Sequence, residues 1–383
     1  MQIINAVHIY NKYNPTKEMT YVFVSFSYLP DLDSPESWFE RTAVYSGVLE
    51  CLSKENTVHN AIRINYQGEC EHNGVVTHFV NFGKNKGYLP LRLICYIKSL
   101  KPDILFIQGL HQPLQLILSG LLMGGKTKII VQHHAEKPFA GVKKYIQRTA
   151  GHLIDAYLFA AASIGMDWVK RGNIVSAHKI HEVMEVSSCF YPIKKDAAKL
   201  KTGAEGAPIF LWVGRLNANK DPLTVVKAFL KFTKTNPGAR LYMIYHTDEL
   251  LNEINQEVEK AAIRNAITVV GKVPHDDLLY WFNSADFFIS GSHYEGSGTA
   301  LCEAMSCGCI PLVTDIFSFR TITDNGKCGL LYEPGNQKAL LAALEQTRNV
   351  DIDEKRTRSL SYFKQTLSFE AIAAKIQQVA ASL

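Results

Sequence analysis

The sequence predicts an α/β protein built of two doubly wound, mostly parallel sheets that face one another across a cleft. Three observations predict it. Short apolar runs alternate with longer amphipathic stretches along all 383 residues, which is the pattern of repeated strand–helix units. The length exceeds what one core usually organises, at roughly 150 residues per domain. The alternation also breaks once, between Tyr191 and Pro208, where Lys194, Lys195, Lys199 and Lys201 gather with little apolar periodicity. That stretch reads as a linker. The chain is therefore expected to divide into an N-terminal domain over 1–190, a linker over 191–207 and a C-terminal domain over 208–365. A terminal helix over 366–383 is expected to pack back toward the first domain.

Taken in order, the first strand is Tyr21–Phe26, an apolar run with aromatic and β-branched residues. A helix over Pro35–Lys54 follows, with Ser34 placed to cap it and Pro35 in its first turn. Strands are expected at Thr57–Ile64, Val75–Val80, Asp103–Gln108, Lys128–Gln132, Ala156–Ala160 and Ile180–Val186, with a helix over Tyr88–Leu100 among those between them. After the linker come strands at Ile209–Val213, Arg240–Tyr245, Ile267–Val270, Phe287–Ser290, Ile310–Val313 and Gly329–Tyr332. Helices are expected at Pro222–Lys234, Glu249–Ala262, His275–Asn283, Thr299–Ser306 and Gln337–Thr347. The last, Ile352–Leu383, is expected to break near Leu367. The first twenty residues fit no element.

Composition narrows the function. With 47% hydrophobic and 20% charged residues, the chain is neither disordered nor low in complexity. Eight cysteines at irregular spacing include no CxxC pair, which speaks against a zinc knuckle or a disulfide framework and for reduced thiols. Cys302, Cys307 and Cys309 read as small buried hydrophobes. Met1–Tyr10 has neither a basic start nor a sustained apolar core, so a cytoplasmic protein is expected. The net charge of +5 is mild and asks for no nucleic acid. It is unevenly spread: residues 1–195 hold 21 basic against 15 acidic residues, and 196–383 hold 20 against 21.

Two runs carry chemistry. In Ser290–Asp315 a strand ends at Ser290, Glu295-Gly296-Ser297-Gly298 follows, and a helix begins near Thr299. A glycine-bearing turn into a helix N-terminus leaves amides free and favours an anion, above all phosphate. Glu303 lies eight residues after Glu295; the two carboxylates suit two separate polyols, such as a sugar and a ribose. In Phe210–Pro222 a strand ends at Val213, and its loop carries Gly214, Arg215 and Lys220. A planar guanidinium fork and a point charge on one strand-end loop suit a diphosphate. Asp221-Pro222 then caps and starts a helix.

Together these runs resemble the retaining glycosyltransferases of family 4, which have the GT-B fold of two facing Rossmann-like domains. The resemblance rests on the Glu-x7-Glu motif from Glu295 to Glu303, headed by E-G-x-G, and on G-R-L-x-x-x-K from Gly214 to Lys220. It covers Phe210 to Gly335 and is weak in the first half. It implies a nucleotide-sugar donor held mainly by the second domain: Arg215 and Lys220 on the diphosphate, Glu295 on the transferred sugar and Glu303 on the ribose. It further implies backbone amides of Gly296, Ser297, Gly298, Thr299, Ala300 and Leu301 on sugar and phosphate, and Gly271 and Lys272 beside the base. A first-domain histidine at a strand end lines the sugar site in such enzymes; here His134 is favoured over His133 and His111. Glu295 and His134 are then the expected catalytic residues. No metal or other cofactor is expected, since the cations and the helix terminus would stabilise the departing diphosphate, at about 3 kcal/mol for each well-placed donor.

The expected partners are the nucleotide-sugar and a glycan or lipid-linked acceptor in surface glycan or glycolipid biosynthesis. Lys84, Lys86, Arg92, Lys98, Lys101, Lys143, Lys144 and Arg148 supply the first-domain charge, either as solvated helix faces or as a peripheral contact with the cytoplasmic face of a membrane. Two departures stand out. Ser34-Pro35-Glu36-Ser37 replaces the Gly-Gly loop many relatives carry, with its amides as substitute phosphate ligands, and Tyr245-His246-Thr247 replaces a G-x-G. Rival readings are a nucleotide-sugar epimerase on the same fold, a non-catalytic glycan-binding scaffold, and a dinucleotide-dependent oxidoreductase. The last lacks a G-x-G-x-x-G after its first strand.

Overall fold

The computed structural model describes residues 18–81, 90–134, 136–261 and 265–383. The first seventeen residues, and Lys84 and Lys86, lie outside them.

The first sheet has eight strands: β1 (Thr20–Leu29), β2 (Thr57–Ile64), β3 (Gly68–His72), β4 (Val75–Phe79), β5 (Ile104–Gln108), β6 (Lys128–Gln132), β7 (Ala156–Phe159) and β8 (Ile180–Glu182), in the order β3-β4-β2-β1-β5-β6-β7-β8. Every pairing is parallel except β3 with β4. The second sheet has β9 (Ile209–Gly214), β10 (Arg240–Tyr245), β11 (Ile267–Gly271), β12 (Phe287–Ser290), β13 (Ile310–Thr314) and β14 (Leu330–Tyr332), all parallel, in the order β11-β10-β9-β12-β13-β14. Strands buried on both faces, such as Ile310–Thr314, read as continuous apolar runs because helices cover each side.

The helices are α1 (Pro35–Ser53), α2 (Leu91–Ser99), α3 (Pro113–Met123), α4 (Gly141–Ala150), α5 (Ala162–Lys170), α6 (Lys195–Thr202), α7 (Pro222–Phe232), α8 (Leu251–Lys260), α9 (Leu278–Ser284), α10 (Thr299–Ser306), α11 (Phe317–Ile322), α12 (Gln337–Gln346), α13 (Ile352–Tyr362) and α14 (Phe369–Ala381). None of the described helices is long and apolar enough to cross a membrane. Two doubly wound α/β domains are thus present, as the alternation of strands and helices predicts.

Four details differ from the sequence reading. A hairpin strand, β3, adds an antiparallel edge; Asn73 and Gly74 turn it into β4 with φ of 48° and 79°, the left-handed pair that a tight hairpin turn requires. The expected strand Ile180–Val186 stops at Glu182, freeing Glu185 to leave the sheet. The linker segment carries α6, where Lys195 pairs with Asp286 and Thr202 bonds Ser284 at 2.9 Å, so it is tied to the second domain. The short helix α11 was not expected.

One apolar cluster runs from Tyr21, Phe23 and Leu158 of the first sheet to Leu211, Phe288 and Met305 of the second domain, through Ile372, Ala373 and Ile376 of α14. Burying each Leu, Ile, Phe or Met among them contributes about 1.5–3 kcal/mol. The chain breaks at Ser368, whose amide bonds Phe363 C=O at 2.9 Å while its Oγ caps α14 through Ala371 N at 3.2 Å. The broken helix lets α14 lie against α1, where Gln377 donates to Glu55 at 3.3 Å. Ser187 Oγ donates to Leu367 C=O at 2.6 Å and holds the return in place. Cys302, Cys307 and Cys309 are fully buried in this cluster.

Candidate functional site

In the second sheet the strand order reverses between β9 and β12, so the loops after these two strands open a crevice at their carboxyl ends. The two loops are stitched together. Asn219 C=O accepts from His293 N at 2.8 Å, and Asn219 Nδ2 donates to Tyr294 C=O at 3.0 Å. Asp221 caps α7 by accepting from Thr224 N at 3.3 Å. This fixes the preceding Lys220, whose ammonium forms an ion pair with Glu295 Oε1. Both side chains are largely buried, at 20% and 14% exposure. Arg215, from the same loop, is exposed and makes no ion pair among the described residues.

Gly298 starts α10 with φ of 63°, and a Cβ there would stand 2.9 Å from the Phe319 ring. Only glycine takes this position without strain. No side chain caps α10, and its first-turn residues Thr299, Ala300 and Leu301 line the crevice, so the positive end of the helix opens onto it. One turn on, Glu303 is buried and bonds His275 Nε2 at 2.8 Å. This bond raises the imidazole pKa above its ordinary value against the opposing effect of burial. The ring is held by stacking on Phe190, with centroids 5.0 Å apart.

These residues line one cavity of about 650 Å³. Arg215, Lys220, Lys272, Glu295, Gly296, Ser297, Gly298, Thr299, Ala300, Leu301 and Glu303 all reach it. Gly271 does not; it ends β11 with φ of 95° and hands the wall to Lys272 and Val273. Tyr245 and His246 also line it. From the first domain Glu40 and Arg41 of α1 complete the wall. The Ser34–Ser37 segment is not on it: Ser37 N already donates to Ser34 Oγ at 3.2 Å, so that turn is committed to capping α1.

His134 lies in an adjoining cavity of about 420 Å³ between α1 and the first sheet, with Trp38, Phe39, Tyr45 and His111. Arg41 lines both cavities. His134 Nδ1 meets Glu185 Oε1 at 3.2 Å, and Ser297 Oγ donates to the same oxygen at 3.2 Å. Glu185 thus ties the strand-end histidine of one domain to the α10 entry of the other. Burial opposes charging of His134, but Glu185 and Glu136 outweigh it and raise the imidazole pKa. His134 Nε2 and Glu185 Oε2 are buried and have no partner within the described protein, which leaves a donor–acceptor pair for a bound molecule to satisfy.

Glu136 organises the first-domain loops. It accepts from Leu110 N at 2.7 Å and His134 N at 2.6 Å, and it meets His111 Nδ1 at 3.3 Å. Burial works to raise its carboxyl pKa, but the bonds from His111 and His134 N, the nearby His133 and its own backbone amide prevail and hold it at about 2. His133 is fully buried, stacked on Phe159 at 4.7 Å and bonded to Glu136 C=O at 2.9 Å, a structural position. Glu136, Glu185, His275 and Arg41 were not singled out from the sequence. Glu136 stands two residues after His134, and Glu185 is a carboxylate set between Met184 and Val186; those are the only signals for these two.

Residues 194–362 match the model of the family described as glycosyl transferases group 1. The GDP-mannose:cellobiosyl-diphosphopolyprenol alpha-mannosyltransferase of Xanthomonas campestris is 28% identical over 157 residues, which are 40% of this chain and 41% of that one. The first curated relatives are matched over less than half of their own length. Among solved structures, sucrose-phosphate synthase from Thermosynechococcus elongatus superimposes with a TM-score of 0.69 at 16% identity, covering 96% of this chain and 99% of that one. Anabaena HepE, solved in complex with UDP and glucose, gives 0.67 at 12% identity, covering 96% and 100%. The fold of the described residues is therefore GT-B, and residues 194–362 are similar to the glycosyl transferases of group 1.

Proposed function

We propose that this chain is a retaining glycosyltransferase that moves a sugar from a nucleoside diphosphate to a hydroxyl acceptor in glycan or glycolipid biosynthesis. One observation carries the reading: Arg215, Lys220, the uncapped start of α10, Glu295 and Glu303 converge on a single cavity at the switch point of the second sheet. The relatives support it, one named for transfer from GDP-mannose and one fold neighbour solved with UDP and glucose.

Arg215 is free to take the donor diphosphate, and Lys220 joins it once the anion competes with Glu295. Charge that develops on the leaving diphosphate then meets two cations and a helix terminus already in place, each donor contributing about 3 kcal/mol. Glu295 contacts the transferred sugar and Glu303 the ribose. His134, raised toward its charged form and with Nε2 unpartnered, faces the sugar from the first domain. The acceptor hydroxyl attacks on the face from which the diphosphate departs, giving retention. No metal enters this scheme. The protein is cytoplasmic, with its first domain toward the acceptor.

The test is product analysis with donor and acceptor pools, using wild type, Glu295→Ala and Arg215→Ala. The reading expects an acceptor-dependent α-linked product from an α-linked donor, and loss of it in both variants. Epimerised donor without acceptor would favour the epimerase instead, and full activity in both variants would remove the site assignment.

A further inference from the structure

A third concavity, of about 490 Å³, opens on the first domain away from the donor cavity. Its polar lining comes from Arg63, Lys143, His111, Gln112, Gln115 and Tyr28, and no carboxylate is among its lining residues. Arg63 rises from β2 and is only 2% exposed. Its Nη1 donates to Phe26 C=O at 2.9 Å and its guanidinium stands 5.6 Å over the Tyr28 ring, but Nε is buried without a partner. No described acidic side chain pairs with it. A buried guanidinium with no counter-ion is costly, and an arriving anion would relieve that cost.

A second feature points the same way. Helix α3 begins here at Pro113, and no side chain caps it, so the positive end of an eleven-residue helix opens on the cavity. Lys143 of α4 supplies another cation with no ion pair among the described residues. Glu136 touches the lining through His111 Nδ1 and is engaged there and with Leu110 N and His134 N. Gln112 Oε1 is buried and unpartnered, an acceptor waiting for a hydroxyl. The cavity therefore offers donors to an anion and an acceptor to an alcohol. Ser27 and His111 line both this cavity and the one that holds His134.

We propose that this cavity binds a phosphate carried by the acceptor, so that the acceptor is a phosphorylated polyol whose free hydroxyl extends toward His134. The proposal rests on the glycosyl-transfer reading above for the word acceptor, but the anion site itself does not. The phosphate belongs either to a free sugar phosphate or to a lipid-linked sugar diphosphate; both present the same group to Arg63 and Lys143.

The experiment is titration calorimetry of the full chain with two sets of probes. The soluble set is hexose 6-phosphates, inositol phosphate and glycerol 3-phosphate, each against its unphosphorylated parent. The lipid set is farnesyl diphosphate in detergent micelles against farnesol in the same micelles. At least one phosphorylated probe is expected to bind ten-fold or more tightly than its parent, and which set contains it identifies the source. Lys143→Glu, at an exposed position, and Arg63→Lys should each weaken that binding about ten-fold. Arg215→Ala should leave it unchanged while weakening nucleoside diphosphate binding. The proposal is overturned if no phosphorylated probe exceeds its parent, or if Lys143→Glu and Arg63→Lys bind as the wild type does. Phosphate binding that persists in a protein with no affinity for nucleotide-sugars would keep the anion site and remove only the transferase reading.

Discussion

Lys220 and Glu295 form an ion pair that bridges the loops after β9 and β12, across the point where the strand order of the second sheet reverses. In the proposed transfer reaction each would hold the other where the donor meets both, the ammonium at the diphosphate and the carboxylate at the sugar. Removing either partner leaves a largely buried charge behind. Lys220→Met is therefore expected to lower kcat/KM by about 10²–10³. Steady-state kinetics of donor turnover check this, and an unchanged value would detach the ion pair from the chemistry.

The His275–Glu303 bond carries a pH signature. The folded imidazole pKa is raised above the ordinary 6.5 by its bond to Glu303. The stabilisation is then fully present below 6.5 and is lost as pH rises through the raised folded value. Melting curves of wild type and His275→Ala should differ most near pH 6 and converge in alkaline buffer. A gap that widens with pH would contradict the assignment.

Glu136 behaves in the opposite sense. Its carboxyl is held at about 2 against an ordinary 4.5, so its contribution is present above 4.5 and lost only as pH falls through about 2. Glu136→Gln is expected to destabilise by about 1–3 kcal/mol, because two loop amides lose a charged acceptor. Denaturant unfolding should show this gap as constant between pH 5 and 8.

Gly298→Ala tests the entry to α10. The left-handed backbone costs about 1–2 kcal/mol with a Cβ, and that Cβ would also press on Phe319 at 2.9 Å. Lower stability and weaker nucleotide binding are expected together. A substitution that left both untouched would show that the loop can rearrange freely.

Much of this molecule was legible in its residues, and the omissions have physical reasons. The parallel strands stood out because burial on both faces makes them unbroken apolar runs, as in Ile310–Thr314. The candidate donor loops stood out because their chemistry is local: Arg215 and Lys220 share one turn, and Glu295 and Glu303 share one helix entry. The β3 hairpin was missed although Asn73-Gly74 is a strong turn signal, since the polar, exposed strand beside it has no apolar pattern. Helix α6 was hidden by its lysines, because it packs through little more than Ala198. Glu185 had only its place between apolar residues to mark it, and Arg41 had no signal. Each matters only because another domain or another cavity comes to meet it, and that juxtaposition leaves no mark along the chain.

The crevice between β9 and β12 is expected to hold a nucleoside diphosphate sugar. Titration calorimetry of wild type and Arg215→Ala with UDP-, GDP- and ADP-sugars tests it most directly, since Arg215 is exposed and its loss should not disturb folding. One of these donors should bind the wild type and bind the variant at least ten-fold more weakly, as expected for loss of a charged hydrogen bond of about 1.5–3 kcal/mol. If none of them binds, or if the variant binds as tightly as the wild type, the crevice is not the donor site.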